Sequence, residues 1–159
     1  MTLGIKDVKI WKSAFIESVQ ELGATFLGGA EVVVLDHKQA MPEDLLGSFV
    51  QIVCPEGPVL LGITGPEGSC LSLAKLMLGM APEDELAEAD AFDAMGELIN
   101  IAAGGIKMRL AAKLGSIELG LPMFLSGRLR AVGHIEVELT EVTIGGNHCA
   151  LMVFALTGK

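Results

Sequence analysis

The sequence contains no tyrosine, one tryptophan and six phenylalanines among its 159 residues, so stacked rings cannot make its core. With half the residues hydrophobic, the interior must come from Leu, Ile, Val, Ala and Met, and a chain of this length buries a real core as one domain. Basic residues are also scarce. Lys and Arg number 11 against 20 Asp and Glu, a formal charge of −9. Such a chain repels a phosphate backbone, and no basic stripe with interleaved aromatics offsets this, so no nucleic acid is expected as a partner. Cysteines are few, odd in number and far apart (Cys54, Cys70 and Cys149), with no CxxC or CxxH pattern. That excludes a disulfide framework and points to reduced thiols in a cytoplasmic protein. His37, His134 and His148 form no ligand spacing with them, so no metal or other cofactor held by this chain is expected. A signal-peptide pattern and an apolar run of membrane-spanning length are both missing, which predicts a cytoplasmic location and no membrane insertion. Gly62-Ile-Thr-Gly65 lacks the GKS/GKT ending of a phosphate loop, and Pro66 removes a donor where one would be needed.

The apolar residues are ordered. Trp11, Phe15, Val19 and Leu22 recur at helical spacing, predicting a helix from Val8 to Leu22 that Gly23 ends. Glu31–Leu35 reads as a strand, and Pro42 and Gly47 mark a loop. Phe49–Cys54 and Val59–Thr64 read as a hairpin turning at Pro55-Glu56-Gly57-Pro58. A second helix is predicted over Pro66–Leu78, stopped by Gly79. Pro82 opens a third and longest helix, with Glu83, Asp84, Glu85, Glu88 and Asp90 favoured by its dipole. It runs to about Ala103, bends or breaks at Gly104-Gly105, resumes to Lys113 and stops at Gly115. Ile117–Leu121 is a short strand. Val132–Val142 alternates, Ile135, Val137 and Leu139 against Glu136, Glu138 and Thr140. After a turn at Gly145-Gly146-Asn147, Cys149–Leu156 is almost wholly apolar, as expected of a strand covered on both faces or buried in an interface. Met77, Met80, Met95 and Met108 read as core filler.

Two pseudo-halves, about 1–79 and 80–159, share the plan helix, strand, proline-containing loop, hairpin. Ser13, Glu17, Gln20, Pro42 and Gly47 stand 80 residues before Asp93, Glu97, Asn100, Pro122 and Gly127. The expected fold is an α/β domain of the α+β type, an internal pseudo-repeat with a mostly antiparallel sheet and long helices packed on it.

Between Ala91 and Ile106 the polar side chains are Asp93, Glu97 and Asn100. At about 100° per residue they share an arc of roughly 60°. Gly96, Ala103 and Gly104 lie beside them, small residues that make a poor helix but a shallow face on which another protein can come close. A plain solvated stripe is the bland alternative.

At these residues the sequence resembles the CheC/CheX family of chemotaxis phosphatases. The family signature is Asp or Ser, three residues, Glu, two residues, Asn, twenty-one residues, Pro. Here it falls on Asp93, Glu97, Asn100 and Pro122. Four positions at fixed spacing arise by chance in about one chain per thousand. CheX-type members look closest, because the second half alone carries the full motif.

The resemblance implies a CheC-like fold and a phosphatase acting on the aspartyl phosphate of a CheY-like receiver that carries its own Mg²⁺. Asn100 would position water and Glu97 would pair with the receiver's lysine. Asp93, Gly96, Gly104 and Pro122 would shape the binding face. Ser13, Glu17 and Gln20 would be a degenerate second site, since Gln replaces Asn. A homodimer made by sheet edges is also implied, with Cys149–Leu156 as the apolar strand that favours it. The competing expectations are a non-catalytic scaffold module like those of the flagellar switch, and a small-ligand hydrolase, for which no Ser/His/Asp or Cys/His arrangement is found.

Overall fold

The computed structural model describes residues 8–35, 41–130 and 133–156. His37 and Val132 lie outside them. The elements, in chain order, are α1 (Val8–Phe26), β1 (Val32–Val34), β2 (Leu45–Cys54), β3 (Gly57–Thr64), α2 (Glu67–Leu78), α3 (Glu88–Leu114), β4 (Glu118–Leu119), β5 (Met123–Gly127), β6 (Ile135–Ile144) and β7 (Asn147–Leu156). All strand pairs are antiparallel and form one sheet in the order β1-β6-β7-β3-β2-β4, with β5 also on β2.

That order reads the same from either end once β1 is exchanged for β4, β6 for β2 and β7 for β3. The helices obey the same exchange: α1 packs on β6, β7 and β1, and α3 on β2, β3 and β4. The pseudo-repeat is therefore a local two-fold arrangement, in which each half's short strand pairs with the other half's hairpin. The two hairpins meet through β3 and β7, at the centre of the sheet. Because β7 is paired on both sides and its side chains are buried from Cys149 to Ala155, burial on both faces accounts for its apolar sequence.

Helix-facing residues of the sheet (Val50, Ile52, Val59, Leu61, Ile63, Val142, Ile144, Leu151 and Val153) join Trp11, Phe15, Val19 and Leu22 of α1 and Leu98, Ile99 and Ile106 of α3 in the main core. A smaller cluster, Leu45, Phe49, Ala150, Met152 and Phe154, covers the opposite face.

Several expected boundaries move. Helix α1 passes through Gly23, which is buried where a β-carbon would collide with the Ala30 carbonyl. The helix ends at Phe26, and the chain turns away at Gly28-Gly29, both at positive φ. Gly47 is not in a loop but inside β2, opposite Thr64, where a β-carbon would collide with the Ile63 carbonyl. Helix α3 starts at Glu88, not Pro82. Residues after Pro82 are held in a turn by the Asp84 carboxylate, which accepts the Ala81 N–H at 2.9 Å, while Lys75 Nζ donates to the Pro82 carbonyl at 2.7 Å. Of the acidic run, Glu88 and Asp90 remain in the first helical turn. Gly104-Gly105 does not interrupt α3. Gly105 is where α1 approaches, and a side chain there would lie 2.9 Å from Ser18 Oγ.

β5 had no sequence expectation; Met123-Phe-Leu is too short a run to alternate. In β6 the alternation is real, and the structure assigns its two faces. Glu138 points toward α1 and takes Lys12 Nζ at 2.9 Å, whereas Val137 and Leu139 pack on the second face. Met95 is core and Met77 packs against it, but Met108 is 83% exposed.

Gly47→Ala should lower stability by about 1–3 kcal/mol, since backbone of a central hairpin must move to admit one methyl. Urea unfolding should show a lower midpoint at unchanged slope; an unchanged midpoint would mean that β2 and β3 are not this close.

Candidate functional site

Helix α3 lies on β2 with its rotation pinned from below. Ser48, fully buried on β2, donates through Oγ to the Met95 carbonyl at 2.7 Å. Met95, Leu98, Ile99, Ala102 and Ala103 thereby face the core, and the opposite side of the helix must face out. Asp93 and Glu97 are exposed and Asn100 is half-buried, on that outward side. Gly104 shares their face, and a β-carbon there would meet nothing within 4 Å. Ala103 differs from expectation: it is fully buried and belongs to the core, not to the shallow face.

Pro122 is brought to this helix by a break in the sheet edge. β4 and β5 run along the same side of β2. Between them Gly120 still donates its N–H to the Gln51 carbonyl at 2.7 Å, and Pro122 has no N–H to continue the ladder. Its ring lies over Gly96, with Cβ and Cγ each 3.6 Å from where a glycine β-carbon would sit. That is ordinary van der Waals distance, so Pro122 packs on Gly96 closely but would leave room for a methyl. Leu121, next to that ring, is 85% exposed. Phe92 and Phe124 stack at 4.1 Å between centroids and 19° between planes, bracing the first turns of α3 against β5.

Among the described residues nothing donates to the carboxylates of Asp93 or Glu97, and the Asn100 amide makes no hydrogen bond. The matching stripe on α1 is different. Ser13, Glu17 and Gln20 are all exposed, but Glu17 is already engaged. Arg109 of α3 places Nε 3.3 Å from Glu17 Oε2 and Nη2 2.6 Å from Glu21 Oε2, and it also donates to Ser18 Oγ and the Gly105 carbonyl. Ile16 stands where α3 has Gly96 and packs on the core. Pro42 is not over α1; it lines a cleft with Phe124 and Ser126 beside β5. The structure thus unites Asp93, Glu97, Asn100, Gly104, Gly96 and Pro122, and leaves Ser13, Glu17 and Gln20 exposed on α1 with Glu17 taken up by Arg109. Sequence reasoning missed Arg109, a basic residue of α3 with no local signal of its partners on α1.

The cleft, about 1010 Å³, runs between α2, the start of α3 and β5, and its lining does not include Asp93, Glu97 or Asn100. The polar stripe is a surface, open to a partner as large as another protein. Burial pushes the Cys70 thiol up to about 11 and the Cys149 thiol up to about 12, so both stay protonated near neutrality and neither is a nucleophile. Among the described residues no group of three or more His, Cys, Asp and Glu could hold a metal ion.

The fold and the motif-bearing helix define the class: the molecule is built like the CheC/CheX-type chemotaxis proteins. The chemotaxis protein CheX of Desulfovibrio desulfuricans superposes with a TM-score of 0.74 at 16% identity, over 92% of this chain and 99% of that one. The CheX of the CheX–CheY–BeF3–Mg²⁺ complex from Borrelia burgdorferi gives 0.65 at 14%, over 93% and 98%. Thermotoga maritima FliY gives 0.62 at 19%, over 99% and 92%. The family model described as chemotaxis phosphatase CheX matches residues 55–144, and the chain belongs to that family. A comparison with curated proteins finds no match.

Gly104 is tolerated in α3 by nothing that packs on it, so Gly104→Ala should raise stability by about 0.5–1 kcal/mol through helix propensity. A thermal melt that falls instead would mean the space is occupied. The two raised thiols make stability full below about pH 9, where they are protonated in both states. It should be lost as pH rises from there through 11 to 12, because the unfolded chain releases these protons first. Urea midpoints taken between pH 8 and 11 check this; a flat profile would contradict it.

Proposed function

We propose that this member of the chemotaxis phosphatase family hydrolyses the aspartyl phosphate of a CheY-like receiver, with Glu97 and Asn100 as the residues that enter the receiver's site. The observation that carries the reading is the pairing of an unpartnered carboxylate and an unpartnered amide one turn apart on the outward face of α3, beside Pro122 and the open position at Gly104.

An acyl phosphate is already activated, since its leaving group is a carboxylate. The enzyme has to position water, not create a strong nucleophile. The Asn100 carbonyl oxygen accepts from that water while its NH2 donates to a phosphoryl oxygen, which aligns the water opposite the leaving carboxylate. Glu97, one turn away on the same face, pairs with the receiver's lysine and sets the depth of the helix. The charge-neutralising Mg²⁺ is carried by the receiver as part of the substrate, and this chain supplies no cofactor. Asp93 and Pro122 bound the face. Such a reaction belongs in the cytoplasm, where receivers are phosphorylated, and among the described residues no helix is long and apolar enough to cross a membrane.

A homodimer joined by sheet edges belongs to the same reading, but not through β7, which is paired on both sides. The available edges are β1, where Val33 and Val34 are exposed, and β4 with β5, where Met123 is exposed. The alternative function is a non-catalytic scaffold module.

Asn100 has no charge and little apolar area, so it should govern rate more than affinity. Asn100→Ala should bind the activated receiver within a few-fold and lose roughly 10²-fold or more in single-turnover decay of the aspartyl phosphate. Asn100→Asp should fail as well, because a carboxylate is repelled by phosphoryl oxygens and cannot donate. Glu97→Ala and Glu97→Gln should weaken complex formation, by less in high salt. Gln20→Ala should keep most of the rate. Parent-like decay with Asn100→Ala would end the catalytic reading of the stripe, and a parent that does not speed the decay at all would leave the scaffold reading in its place.

A further inference from the structure

Two large apolar side chains stand in solvent around the stripe. Met108 is 83% and Leu121 is 85% exposed, the highest values among the exposed large hydrophobics. One such residue alone is ordinary. Their placement is not. Met108 follows Asn100 by eight residues on the same continuous helix, about 12 Å along its axis. Its direction falls within about 60° of Asp93 and within about 20° of Glu97 on the helix wheel. Leu121 adjoins Pro122, whose ring covers Gly96 one turn before Asn100. The amide of Asn100 therefore sits between the two apolar side chains, and Gly104 leaves a hollow on the Met108 side.

We propose that Met108 and Leu121 are specificity-determining contacts that grip the rim of the receiver's phosphorylation site while Glu97 and Asn100 enter it. The inference rests on the phosphatase reading above. It commits to the receiver as occupant, and two observations favour that over a second copy of this chain. The surface between the anchors carries Asp93 and Glu97, exposed and without a partner among the described residues. It calls for a partner that brings a cation, which a receiver lysine supplies, whereas a second chain would bring another net charge of −9. A copy packed here would also seal Asn100 from any substrate. The arrangement is that of an interface with apolar anchors flanking a charged contact, where a few residues carry most of the affinity.

Both side chains are almost wholly exposed, so Met108→Gln and Leu121→Gln should fold and melt as the parent does. Each should raise the Kd for a CheY-like receiver activated with beryllofluoride and Mg²⁺ by about five- to twentyfold, and leave the decay rate at saturating enzyme within about twofold. Met108→Leu should restore the affinity. Sedimentation equilibrium of the phosphatase alone should give the same mass for parent and variants. Unchanged Kd in both Gln variants would overturn the proposal, and a lower mass in the variants would assign the surface to a second copy. Asn100→Ala measured beside them separates the two levels. If it loses the decay while the Gln variants bind normally, this inference alone fails; if it decays normally, the phosphatase reading fails.

Discussion

The orientation of α3 rests on one buried hydrogen bond. A helix lying on a sheet can rotate about its axis by sliding one set of apolar side chains for another, and α3, rich in Ala, Gly, Leu and Ile, offers little resistance of its own. The Ser48 hydroxyl donating to the Met95 carbonyl removes that freedom. A rotated helix would leave a buried hydroxyl without a partner, at a cost of about 1–3 kcal/mol. Further along, Gly105 against Ser18 and the Arg109 fork on Glu17 and Glu21 fix the crossing of α3 with α1. With both points set, Glu97, Asn100 and Gly104 have one direction to face.

The two-fold arrangement of the sheet makes the inequality of the two helices informative. Both carry a polar residue, then Glu, then an amide at the same spacing, on equivalent sides of equivalent hairpins. What separates them is what fills the neighbouring space. On α3 Pro122 lies over Gly96, and the carboxylate is left without a partner among the described residues. On α1 an isoleucine takes the glycine's place in the core contacts, and Arg109 occupies the carboxylate. The ion pairs are half-exposed and contribute at most about 1 kcal/mol each, so their main effect is on what α1 can offer to a partner. That distinction depends on a residue from the other half of the chain.

Where a signal is local and periodic, the sequence carried it. The Trp11–Leu22 stripe, the hairpin at Pro55 and the Asp93–Glu97–Asn100 face all follow from residue spacing, and the structure has each of them; the 80-residue offset holds for the helices, which begin at Val8 and Glu88, but the equivalent strands β2 and β6 begin at Leu45 and Ile135, ten residues further apart. Signals that depend on distant neighbours were not legible. Gly23 and Gly47 look like breakers, yet both serve close backbone approach inside an element. Pro82 looks like a helix start, but Asp84 closes a turn there. β6 alternates in a way that fits either face, and Lys12 reaching Glu138 decides which side α1 covers. Asp93, Glu97, Asn100 and Pro122 could be found by spacing, whereas the exposure of Met108 and the engagement of Glu17 required the packing of α1 on α3.

The exchange of short strands between the halves has a kinetic consequence. β1 completes the edge of β6, and β4 the edge of β2, so neither hairpin gains its outer neighbour until the other half has arrived. The β1–β6 and β3–β7 pairings join residues roughly a hundred positions apart, and closing such loops is slow because the entropy must be lost before the contacts repay it. The halves therefore interlock like clasped hands. Neither edge of the sheet is complete until both halves are in place. A disturbance at β1, far from Asn100, would be felt in the rate at which the whole sheet, and α3 upon it, comes together.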